Sequence, residues 1–136
     1  MNYLLDTNAC IALMNGDRAS LRNKVQHSIR HGDQFFVSSI STFELWYGVF
    51  KSSRTDFNAD RLQAFLSGAI SVVEFDDDDA RAAGSIRSGL EKKGRLMGVY
   101  DLLLAGQAIR RQMILITANV SEFARVKDLQ WQNWAK

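Results

Sequence analysis

Met113-Ile114-Leu115-Ile116-Thr117 is apolar up to its last residue, and its reading decides the fold class. A strand with one wet face would alternate, whereas a short uniform run suits a strand covered by helices on both sides. Tyr3-Leu4-Leu5 is a smaller run of the same kind, ended by Asp6-Thr7-Asn8. Gln34-Phe35-Phe36-Val37-Ser38 and the segment Ile70 to Phe75 also read as strands. Between them the period changes to that of a helix. Ala9 to Asn15 allows a helical turn or two, and residues 17–31 carry Leu21, Val25, Ser28 and Ile29 on one face. Ser41 to Phe50 repeats the pattern with Leu45, Trp46, Val49 and Phe50, and Ser41 and Glu44 have capping-box spacing. Further helices are expected over about 58–68, 78–93 and 100–111, the second ending at Gly94. Strands separated by helices of about ten residues or more require βα crossovers and a mostly parallel sheet. The expected class is therefore α/β with helices on both faces, as one domain over residues 1–136.

Bulk composition narrows the class without naming a function. Hydrophobic residues make up 46% and charged residues 24% of the 136 residues, which is globular composition. The single cysteine excludes an internal disulfide and multi-cysteine metal sites, and it fits a reducing cytoplasm. A net charge of +2 does not mark a nucleic-acid binder. Met1 to Leu5 lacks the basic start and long apolar run of a secretory signal, and no segment approaches the roughly 20 apolar residues of a membrane span. The chain reads as soluble and as starting at its own initiator methionine.

Polar residues fall where such a sheet binds ligands, outside the carboxyl ends of its strands. Asp6 ends the first predicted strand, Thr117 ends the 113–117 strand, and Asn119 follows it. Glu44 lies early in the helix after the second strand, and Asp101 opens a helix after Gly98-Val99-Tyr100. Each has an ordinary reading alone: a turn or N-cap for Asp6, a capping-box acid for Glu44, a helix-dipole acid for Asp101, a loop residue for Asn119. Their joint placement points further. Gathered carboxylates repel, and oxygen ligands of this kind select Mg²⁺ or Mn²⁺. His27 and His31 lie on a basic helix with no link to the acids, so zinc is not expected. The Asp76–Asp79 run suits a helix N-terminus, Cys10 a small buried residue, and Trp46, Trp131 and Trp134 core or partner packing.

With these residues in place, the chain resembles the PIN-domain family. The opening Tyr3-Leu4-Leu5-Asp6-Thr7-Asn8 looks like that family's first motif. Gly98-x-x-Asp101-Leu-Leu-Leu-Ala105 and Leu115-Ile-Thr117-Ala-Asn119-Val-Ser-Glu122-Phe123 resemble its third and fourth. Within the family the likeness is to VapC-type toxins of toxin–antitoxin pairs, over about residues 2–134. The resemblance implies a three-layer α/β/α fold around a short parallel sheet, a metal-dependent endoribonuclease, and a cognate antitoxin bound to toxin dimers. It carries Asp6, Glu44 and Asp101 over as acidic ligands of Mg²⁺ or Mn²⁺, with Asn119 at a position where many members have Asp. Asn brings no charge but can offer a carbonyl oxygen or hold a metal-bound water. Glu122 matches a position often acidic in the family, and Thr7, Asn8 and Thr117 match small polar neighbours that orient the acids.

RNA would need cations around such an acidic centre. Arg87, Lys92, Lys93 and Arg95 are candidates, as are Arg18, Arg22, Lys24 and Arg30 on the early helix. A solvated helix face is the ordinary alternative for either set. A haloacid-dehalogenase-like phosphatase would need an acid at position 8, where Asn8 stands. A degenerate domain that binds RNA or protein without cutting is the other alternative. Trp46, Tyr47 and Phe50, with Phe57, Phe65 and Leu66, offer apolar area for an antitoxin helix or a dimer.

Overall fold

Side-chain alternation along the central strands divides the core into two layers. A computed structural model describes residues 1–135. In β1 (Asn2–Leu5), Tyr3 and Leu5 join one hydrophobic cluster and Leu4 the other. In β4 (Ile114–Ile116), Ile114 and Ile116 join the first and Leu115 the second. Successive strand side chains point to opposite faces, so a strand with no polar residue must be covered twice.

The helices supply the covers. The first layer is α1 (Thr7–Asn15), α2 (Ala19–Arg30), α3 (Ser39–Lys51) and α4 (Thr55–Leu66), which contribute Cys10, Val25, Leu45 and Leu62 to the first cluster. The second is α5 (Asp77–Lys92), α6 (Val99–Arg110) and the short α7 (Val120–Phe123), with Leu104, Ala108 and Phe123 in the second cluster and Ile86 packed against it. Between the layers β2 (Gln34–Ser38), β3 (Ser71–Val73) and β5 (Trp131–Gln132) complete a five-stranded sheet of order β3-β2-β1-β4-β5. Every pairing in it is parallel. The chain winds from β1 to β3 across one face, then returns over the other to β4 and β5. That reversal puts a crevice outside the carboxyl ends of β1 and β4, where sheets of this type bind ligands.

The α/β/α expectation holds, with local differences. Helix α3 starts at Ser39, and its N-cap is Ser38, whose hydroxyl accepts from the Ile40 amide at 3.0 Å. Ser41 and Glu44 are therefore not a capping box; they face the crevice. The capping box lies instead at α5, where Asp76 and Asp79 exchange side-chain and backbone hydrogen bonds of 2.9 and 3.0 Å. Two-residue β5 has too little periodicity to be read from sequence. Trp134 packs on the core, its ring 5.1 Å from that of Tyr3.

Asp79 is wholly buried yet well partnered. It accepts from Gln107 at 3.1 Å and pairs with Arg111 at 3.2 Å and Arg110 at 3.5 Å. This network ties the start of α5 to the end of α6. Between those ends the helices touch closely: a Cβ at Gly106 would lie 2.6 Å from the Ala83 nitrogen and 2.7 Å from its Cα. Backbone cannot swing aside as a side-chain tip can, so Gly106→Ala must push α5 off α6. The expected cost is about 1–3 kcal/mol of unfolding free energy by urea denaturation. A change below about 0.5 kcal/mol, the level of ordinary surface substitutions, would contradict the close packing.

Candidate active site

Asp6 sits where β1 becomes α1. Its extended backbone makes it the N-cap of α1, and its Oδ1 accepts from the Ala9 amide at 2.7 Å. Its own amide donates to the Ile116 carbonyl at 3.2 Å, which fixes it against the end of β4. The residue is 5% exposed, and burial raises its carboxyl pKa above the ordinary value. The Thr117 hydroxyl and the Ala9 amide work against that rise, while the charge of Glu44 adds to it.

Glu44 reaches the same crevice from the second turn of α3. Thr7 donates its hydroxyl proton to Glu44 Oε1 at 2.7 Å. A hydroxyl has one proton, so the 2.9 Å contact between Thr7 and Ser41 must have Ser41 donating to Thr7. Ser41 is buried, and this relay links α3 to the first turn of α1. It is the site-supporting residue that sequence missed, because the same serine suited a cap.

Asp101, in the first turn of α6, meets Asn119 and Glu122 from the loop and helix after β4. The Asn119 Nδ2 donates to Asp101 Oδ2 at 3.3 Å and to Glu122 Oε2 at 2.9 Å. Glu122 Oε1 accepts from the Gly98 amide at 2.6 Å, at the N-cap of α6. Thr117 Oγ1 accepts from the Asn119 amide at 3.0 Å. Asn119 thus turns its nitrogen, not its carbonyl, toward the acids. It supplies two N–H donors where an aspartate would add another negative charge.

The electrostatics follow from this crowding. Asp101 is pushed up to about 6, first by burial and then by the charge of Glu122, with smaller contributions from Asp6 and Glu44. Glu122 moves the other way, held below its ordinary value mainly by the Gly98 amide and Asn119. The two share a hydrogen bond when one proton is present, and Asp101 is the member that keeps it. Among the described residues, no ion pair with Lys or Arg reaches Asp6, Glu44, Asp101 or Glu122.

The remaining candidates separate clearly. Asn8 is exposed and borders a small cavity with Arg18 and Leu21 instead of the acids. Cys10 is fully buried, and burial drives its thiol pKa up, so it is not a nucleophile. His27 and His31 pack ring to ring 4.2 Å apart on α2. Arg87 is paired with Glu91 at 3.2 Å, while Lys92, Lys93 and Arg95 stand exposed at the end of α5 and beyond.

A family model for the PIN domain matches residues 3–129. The chain belongs to the PIN domain family. It is 36% identical over 136 residues to a protein named ribonuclease VapC2 from Rickettsia felis, covering 100% of both chains. It is 34% identical over 135 residues to a tRNA(fMet)-specific endonuclease VapC from Shigella flexneri, covering 99% of each. Among solved structures, it is similar to the VapBC2 complex of Rickettsia felis bound to a promoter DNA fragment, with a TM-score of 0.92, 35% identity and 98% and 99% of the chains covered. It is also similar to VapBC-1 from nontypeable Haemophilus influenzae, with a TM-score of 0.90, 32% identity and full coverage of both chains.

The PIN-family crevice has a pH signature of its own. The folded chain holds the Asp101 proton more tightly than an unfolded chain would. Without divalent ions, this group's contribution to stability is full below its ordinary value of 3.8 and is lost as pH rises through about 6. A carbon-13 titration of the Asp101 carboxyl should show a midpoint near 6, which Glu122→Gln lowers toward the ordinary range. A midpoint unmoved by that substitution would remove Glu122 as a cause.

Proposed function

We propose that this chain is the toxin of a VapBC-type pair, a divalent-metal-dependent endoribonuclease whose acidic crevice is the active site. The ribonuclease and toxin parts rest on family membership and on full-length relatives named VapC and solved as VapBC complexes. A structured RNA such as tRNA is the substrate we favour, in keeping with the Shigella relative's name.

One observation supports the metal: among the described residues Asp6, Glu44 and Asp101 have no ion-pair partner, and Asp6 and Asp101 are both raised. Among the described residues, no three acidic, histidine or cysteine side chains form a ready-made cage. The donor chemistry nonetheless fits a hard cation, since the available ligands are carboxylate oxygens, while the two histidines pack against each other on α2. In this reading Asp6, Glu44 and Asp101 hold Mg²⁺ or Mn²⁺. Held there, such an ion would supply Lewis-acid activation of a water and positive charge to offset the phosphodiester. The chain's own residues do the positioning. Thr7 fixes the Glu44 carboxylate, Thr117 and the Ala9 amide fix Asp6, and Asn119 bridges Asp101 to Glu122. Such supporting hydrogen bonds orient ligands and tune their affinity. Asn119 and Glu122 belong to the catalytic constellation through that bridge.

Partners follow the same reading. Ile11, Met14, Leu45, Val49 and Leu62 line an apolar groove that Glu44 borders, and Phe43, Tyr47, Phe50 and Phe57 are exposed around α3 and α4. Leu96 and Val99 are exposed near Asp101. A cognate antitoxin and a homodimer are the occupants we assign to these surfaces, in a cytoplasmic protein. Among the described residues, no helix is long and apolar enough to cross a membrane.

Cleavage of labelled tRNA should vanish in EDTA, return with Mg²⁺ or Mn²⁺, and be absent in Asp6→Asn. Full cleavage in EDTA would overturn the metal assignment. Growth arrest that survives Asp6→Ala would favour binding without cutting.

A further inference from the structure

The C-terminal half of α5 and the turn that follows α7 enclose an open cleft of about 210 Å³. Lys93 comes from one wall, Arg125 and Lys127 from the other, and no acidic residue lines it. Lys93 lies more than thirty residues from Arg125 and Lys127 in sequence, so only the fold brings the two walls together. Lys93 and Lys127 are exposed and form no ion pair with the described residues. Arg125 donates to the Leu96 carbonyl at 2.8 Å, which positions it while leaving donors for a ligand.

The same short segment joins the cleft to the site. Glu122 binds the Gly98 amide, and Arg125, three residues later, binds the Leu96 carbonyl. Positions three apart on a helical turn lie about 5–6 Å from one another. The charge of Arg125 reaches Glu122, so a polymer crossing the acids would enter the cleft past that residue. Ser85 and Gly89 form the exposed floor, and a Cβ at Gly89 would meet nothing within 4 Å. A backbone can approach such a surface closely. Protein interfaces are depleted in lysine at their centres, whereas grooves that track single strands are lined by it.

We propose that this cleft holds the phosphate backbone of the RNA flanking the scissile position, with Lys93, Lys127 and Arg125 as its contacts. The proposal rests on the ribonuclease reading for its ligand, and it revises the sequence-based set by replacing Arg87, which Glu91 occupies. Any α5 helix-end role for Lys93 would not account for Lys127, which arrives from a different element.

Fluorescence-anisotropy titration of a labelled tRNA without divalent ions, over a range of salt, separates binding from cutting. The variant Lys93→Gln/Lys127→Gln should bind about tenfold more weakly, and its log–log salt slope should fall by about 1.4, or ~0.7 for each lost contact to a single strand. Lys51→Gln, an exposed cation on α3, should leave the slope unchanged. Either single lysine variant should give about half the change in slope, and circular dichroism confirms that each is folded. An unaltered slope in the double variant, an equal change in Lys51→Gln, or no tRNA binding by the native chain would each overturn the assignment. Tight binding without cleavage on adding Mg²⁺ would instead overturn the ribonuclease reading and leave the cleft standing.

Discussion

Mutual repulsion among carboxylates at the end of β1 and β4 is the constraint around which the rest is arranged. The chain contains two acidic clusters, and it treats them oppositely. Around Asp79 the charge is met by Arg110 and Arg111 and by the amide of Gln107, and the result is a clamp between α5 and α6. Around Asp6 and Asp101 no such cation arrives among the described residues. The charge is managed by hydrogen bonds from Thr7, Thr117, Ala9, Gly98 and Asn119, and what remains appears as raised carboxyl groups. A buried or crowded charge left without a partner is costly, so an arrangement that keeps it is suited to a ligand of opposite sign.

Asn119 shows how the arrangement tolerates a neutral residue among acids. Both of its amide hydrogens are directed at carboxylates, and Glu122 in turn holds the N-cap of α6. The position that could have carried another charge instead bridges two acids and fastens the helix that presents one of them. In the proposed reading, Asn119 leaves the crevice one negative charge fewer for divalent ions than an aspartate at that position would.

The layers and most of the site could be read from the residues because they follow short-range rules. Uniformly apolar Ile114–Ile116 required cover on both faces, and the acids sat at strand ends by chain position alone. The capping-box reading of Ser41 and Glu44 failed because capping spacing and a shared helical face look alike in sequence; the packing of α1 against α3 tells them apart. Asn8 matched a motif, but it is exposed and borders the cavity with Arg18 and Leu21. Arg125 and Lys127 could not be joined to Lys93 before the fold brought the turn after α7 to the same cleft as the end of α5. Two-residue β5 depends on β4 for its existence, so nothing local announces it.

Under the proposed function, Asp6, Glu44 and Asp101 together form a site for a divalent ion. Calorimetric titration of Mn²⁺ into the metal-free protein tests it without reference to any RNA. A single saturable site per chain, abolished by Asp6→Asn and by Asp101→Asn, is the predicted result. Failure of the native chain to bind Mn²⁺ saturably, or binding that survives both substitutions, would contradict it.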